Sequence, residues 1–101
     1  MISEDLIRRQ SGNKAFTKGM NLFLTGKIKK MQIEPDGSLD DIEAIVEGSS
    51  GKMYEVHVTI DCETDEIFYV HCQRPAFEEQ IFPICTHCVG VLLKDNQAKM
   101  K

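Results

Sequence analysis

No run in the 101-residue chain approaches the ~20 apolar residues needed for a membrane-spanning helix. The opening MISEDLIRRQ also lacks the basic start and apolar stretch of a secretory signal, so a cytoplasmic protein without a membrane role is expected. There is no GxxxxGK[ST] phosphate loop. ATP hydrolysis is therefore not expected of this chain alone. Internal repeats, low-complexity tracts and linkers are missing too, so residues 1–101 read as a single domain. An excess of positive charge is also lacking. Net charge is −4: residues 1–33 carry seven Lys/Arg against Glu4 and Asp5, a balance of +5, and the remainder carries five against fourteen, a balance of −9. Phosphate binding works through Lys and Arg that release counterions, so contact with DNA is expected to be weak. The basic first third could still supply a patch, although such lysines are more often the solvated face of a helix and a strand.

A hydrophobic content of 42% over this length is enough for a core that needs no staples. This matters because the smallest zinc fingers draw roughly 10–16 kcal/mol from their metal to fold at all. Four cysteines at uneven spacing in a reducing compartment read as thiols or metal ligands rather than disulfides.

Ser3 is placed to cap a short turn through Leu6 and Ile7, and Ser11-Gly12-Asn13 offers a break and a new start. Phe16, Met20, Phe23 and Leu24 then recur at helical spacing, with Lys14 and Lys18 outside the stripe and Thr25-Gly26 as the stop. Four strands are expected over residues 28–33, 42–47, 54–61 and 66–72, with Pro35-Asp36-Gly37 and Gly48-Ser49-Ser50-Gly51 as turns. The third has the cleanest alternation, placing Tyr54, Val56, Val58 and Ile60 on one face and His57 on the polar face. Cys62 continues the apolar phase and is expected in the core. A last helix over residues 86–94 should leave a fraying polar tail from Asp95 onward. The resulting fold class is α+β: a small antiparallel four-stranded meander, covered by the N-terminal helix and the C-terminal helix.

Chemistry concentrates in HCQRPAFEEQIFPICTHCVGVLL, residues 71–93, which hold three of the four cysteines and two of the three histidines. This stretch resembles the SWIM-type zinc finger, whose pattern is CxC, a variable loop, then CxH and an apolar helix. CTHCVGVLL is similar to the second half, and CQRPAF aligns with the family's CxCPAF. Upstream, Phe16, Gly19, Phe23 and Gly26-Lys27-Ile28 resemble the family's helix, while Ala44-Ile45-Val46-Glu47-Gly48-Ser49 and Tyr54-Glu55-Val56-His57-Val58 resemble its strands. The similarity covers residues 13–94. It is greatest to the module that precedes the motor in bacterial helicase-like ATPases of the Swi/Snf group.

The resemblance implies a zinc ion held by Cys72, Cys85 and His87, with Arg74 at the position of the family's second cysteine. A guanidinium cannot ligate, and structural zinc takes four ligands. The fourth is open between His71, Cys88 and a water. Cys88 also fits a helical core face with Val91 and Leu92. Hydrolytic chemistry is not expected: Glu78 and Glu79, in the finger loop, read as solvated rather than as a general base. No catalytic residues and no small-molecule substrate are therefore assigned. The expected function is a zinc-binding module that helps a helicase-like ATPase contact DNA or a protein partner. The alternative is a metal-free structural or protein-interaction domain in which Phe77, Ile81, Phe82, Pro83 and Ile84 plug the loop and the cysteines are buried thiols.

Overall fold

Among the described residues seven elements follow one another: α1 (Glu4–Ser11), α2 (Asn13–Leu24), β1 (Ile28–Asp36), β2 (Leu39–Glu47), β3 (Met53–Asp61), β4 (Glu66–Cys72) and α3 (Thr86–Lys99). The computed structural model describes residues 2–48, 50–72 and 84–100. The finger loop, with Arg74, Phe77, Glu78, Glu79, Ile81, Phe82 and Pro83, lies outside these described residues, as does Ser49.

Ser3 caps α1 by accepting the Leu6 N–H at 3.1 Å, and Glu4 and Asp5 at the start oppose Arg8 and Arg9 at the end, in the sense the helix dipole favours. Gly12, at φ +86°, separates α1 from α2. It donates to the Arg8 carbonyl at 2.8 Å and accepts from Phe16 at 2.9 Å, so one residue serves both helix ends. Arg8 lies 4.6 Å over the Phe16 ring. The buried stripe of α2 runs through Phe16 and Gly19, with Met20 and Phe23 partly buried. Leu24, expected in that stripe, is 71% exposed. It follows Phe23 at the end of the helix and falls on the flank of a face centred on Phe16 and Phe23.

The four strands form one antiparallel sheet in the order β1-β2-β3-β4, the meander expected from alternation and turns. β1 and β2 extend further than expected, because the reversal narrows to Gly37-Ser38, with Gly37 at φ +63°. Pro35 is tolerated inside β1 because this is an edge strand, where its missing N–H removes no second ladder. Ile42, Ala44, Val46, Val56, Val58, Ile60, Val70 and Cys72 are buried and form the covered face.

β4 carries a bulge, and the end of β3 corrects one expectation. Thr59 pairs with Tyr69 and Ile60 with Ile67, so Phe68 is an extra residue on β4, and it is 62% exposed. Val58, Thr59 and Ile60 are all buried, which breaks the alternation. Cys62 lies beyond the end of β3 and is exposed rather than part of the core.

α3 occupies the middle of the molecule. Residues 88–93 are buried without interruption, so the helix meets protein on every side: the sheet on one, α1 and α2 on the other. The expected two-helix cover of the sheet is thus corrected, since α2 packs chiefly on α3. The helices approach closely at Gly19, where a Cβ would overlap Val89 and stand 2.8 Å from the Thr86 carbonyl oxygen.

The expected fraying after Asp95 is also corrected. α3 continues to Lys99 because its polar residues find distant partners: Asn96 donates to the Ile2 carbonyl at 2.5 Å, and the Lys99 ammonium lies 2.7 Å from Asp40 and 2.9 Å from Asp95. Asp95 is fully buried. No described helix is long and apolar enough to cross a membrane.

Candidate metal centre

Cys72 is the last residue of β4 and pairs with Val56, so strand alternation turns its side chain to the covered face, where it is 1% exposed. Cys85 is the N-cap of α3, in an extended conformation, and His87 follows in the first turn. The Ile84 N–H donates to the Gln10 carbonyl at 3.0 Å, tying the entry of α3 to the end of α1. The start of α3 is thereby held over the end of β4.

The ligand atoms of Cys72, Cys85 and His87 all lie within 4.8 Å of one another. Zinc–sulfur and zinc–nitrogen bonds of about 2.3 and 2.0–2.1 Å in a tetrahedron would set neighbouring ligands about 3.5–3.8 Å apart. The Cys72 Sγ to His87 Nδ1 distance is already 3.5 Å. Adjustments of about an ångström would bring all three to an ion, so these residues could hold a metal. The donor set, two thiolates and an imidazole, suits zinc and other soft or borderline cations.

His87 is held from outside the cluster. The Tyr54 ring packs on it at 4.9 Å between centroids, tilted by 34°. Room for Tyr54 depends on Gly48, where a Cβ would come within 2.6 Å of the Tyr54 ring. The Gly48 and Tyr54 positions of the strand pattern therefore bear on the site through this ring stack.

Hydrogen bonds from Cys72 and Cys88, and then from His87, hold the Cys85 thiol well below its usual range, against the cost of burial. Cys88 moves the opposite way, because of its hydrogen bond with Cys85 and its own burial. The favoured state is a Cys85 thiolate beside a Cys88 thiol, and the thiolate is the metal-binding form.

The two candidate fourth ligands are placed differently. His71 pairs with His57 on the uncovered face of the sheet, across the strand from Cys72. There it lines a groove of about 390 Å³ with Lys30, Gln32, Glu43, Glu55 and His57. His57 is half-buried and lies 3.0 Å from Asp41 Oδ1, which also accepts from the Thr59 hydroxyl at 2.7 Å. Cys88 is fully buried with Val91 and Leu92, outside the three-residue cluster but 3.5 Å from the Cys85 sulfur. That proximity was legible in the Cys85-x-x-Cys88 spacing, which the reading of Cys88 as a core residue left unused. Arg74 lies outside the described residues.

No protein-family model, curated protein or solved structure matches the chain.

Proposed function

We propose that this chain is a zinc-binding module of the SWIM-like kind, in which Cys72, Cys85 and His87 hold one zinc ion that pins the start of α3 to the end of β4. The observation that carries the reading is the convergence of those three side chains, from elements 13 residues apart in sequence at their nearest (Cys72 to Cys85), within 4.8 Å. The metal's role is structural. It cross-links a strand end to a helix start and so fixes the surface formed where they meet.

That surface serves as a contact for a protein partner, in the setting of a helicase-like ATPase, with DNA as a weaker ligand. The charge balance supports this order, since residues 34–101 carry −9 and offer phosphate few cations. A metal-free interaction domain is the second reading. It draws on the burial of Cys72, Cys85 and Cys88 within a hydrophobic core to which residues of every element contribute.

Tagless protein, reduced and titrated with zinc and separately with cobalt(II), tests the proposal. One ion per chain and a thiolate–cobalt charge-transfer absorption are expected, both lost in the Cys72→Ala/His87→Ala double variant. A parent protein that takes up no metal under these conditions, while keeping its fold, would leave only the metal-free reading.

A further inference from the structure

Beyond a metal site, the geometry points to a thiol–disulfide exchange site at Cys85-Thr86-His87-Cys88, in which Cys85 and Cys88 close reversibly into a disulfide that removes Cys85 from the metal cluster. The coupling to metal rests on the zinc reading, whereas the exchange chemistry does not.

Three observations support it. Cys85 is the N-cap of α3 and Cys88 lies in its first turn, so the helix itself sets the two residues on one side. Their sulfur atoms are 3.5 Å apart, against a disulfide bond of about 2.05 Å. Finally, the pair is graded in exposure: Cys85 is 6% accessible and Cys88 not at all. An external reagent meets Cys85 first, with Cys88 behind it as the resolving thiol.

The substrate class is a small disulfide, RSSR, such as oxidised glutathione. The Cys85 thiolate attacks one sulfur, forming the mixed disulfide and releasing the first RS⁻. The Cys88 sulfur then attacks Cys85, and its proton passes to the departing second sulfur, which leaves as RSH. Two protein thiols are oxidised to one disulfide, one external disulfide is reduced to two thiols, and two electrons pass between them. A sulfur held in that disulfide is no longer a thiolate and cannot ligate. Oxidation therefore ejects the ion, and reduction restores the site.

The experiment takes metal-free, reduced protein through a series of reduced-to-oxidised glutathione ratios. Free thiols are then blocked with N-ethylmaleimide, and peptide mass mapping locates those lost. The expected result is loss of two thiols per chain, joined as Cys85–Cys88 and recovered with dithiothreitol. Cys88→Ser should instead accumulate a glutathione adduct on Cys85. A predominant Cys72–Cys85 disulfide, or four thiols still free at the most oxidising ratio, overturns the proposal on the parent protein alone, whether or not the variant folds.

A second arm loads zinc first and follows its release with a chromogenic chelator. Release should keep pace with disulfide formation in the parent and be at least tenfold slower in Cys88→Ser. If zinc does not load while the metal-free protein still closes, the zinc reading fails and the exchange site stands. If zinc loads and stays bound after the disulfide has formed, the coupling is overturned.

Discussion

Replacing Gly19 by alanine adds one methyl group where α2 and α3 come closest. That methyl would overlap the Val89 side chain and stand 2.8 Å from the Thr86 carbonyl oxygen. Val89 can turn, but a backbone oxygen inside a helix cannot, so the two helix axes must part. Overpacking of this kind costs about 1–3 kcal/mol. Alanine's better helix propensity returns about 0.5–1 kcal/mol, which from the middle of both ranges leaves a net loss of about 1 kcal/mol. At roughly 4–8 °C per kcal/mol for a domain near this size, the midpoint of thermal unfolding should fall by about 4–8 °C. Circular dichroism melting of the two proteins measures this, with Asn21→Ala as control: Asn21 is exposed on the same helix, so that change should gain a few tenths of a kcal/mol from propensity alone. Because Thr86 lies between Cys85 and His87, a displaced α3 should also weaken zinc uptake. A Gly19→Ala protein that melts at or above the parent temperature would refute the close approach and with it the account of how α3 is placed.

Gly48→Ala should push the Tyr54 ring off His87, at a cost of about 1–2 kcal/mol by urea denaturation, together with weaker zinc binding; full stability and unchanged affinity would show that the ring stack does not position the imidazole. Cys62→Ala should change stability by no more than about 0.5 kcal/mol, and Cys62 should be alkylated in the native protein before the three buried cysteines. The carboxylates around Lys99 give opposite pH signs. Asp40 is held below its ordinary 3.8 by the Lys99 hydrogen bond, so its contribution is present above 3.8 and lost as pH falls through the lowered value. Asp95 is raised by burial, so its ionised form opposes folding and its protonation, which begins above 3.8, offsets losses as acid is added. Asp95→Asn should therefore lose more stability than the parent between pH 7 and about 4; an identical pH profile would show that burial does not penalise the charged form.

The α+β class and the meander were legible because both periodicities are local: apolar residues at helical spacing in α2, alternation in β3, and turns at Gly37 and Gly51. What was not legible depends on contacts between distant residues. Cys62 continues an apolar phase on paper, but β3 ends at Asp61, where pairing with Leu39 and Glu66 stops, and Cys62 stands exposed in the turn beyond it. Asp95 and Asn96 look like the start of a solvated tail; Asn96 instead donates to the Ile2 carbonyl from the far end of the chain, and Asp95 lies buried beside Lys99 of its own helix, which Asp40 meets from β2. Leu24 misled because a stripe drawn from spacing does not show which neighbour it faces. At the site, the meeting of Cys72, Cys85 and His87 was expected from a motif resemblance, and strand alternation alone was enough to send His71 to the other face from Cys72. The uninterrupted apolar run of α3 carried a further message, that residues 88–93 have no solvent face.

That central helix constrains the order in which the domain can assemble. Each hairpin of the sheet joins neighbours in sequence and can close quickly, and α1 and α2 are local structures as well. Yet residues 88–93, on which both layers bury their apolar sides, follow all of them along the chain. Until that segment arrives, the meander shows water a whole apolar face, with two free edges beside it. Docking of α3 is thus the single event that turns two exposed half-cores into one, and it is the same event that brings Cys85 and His87 to Cys72.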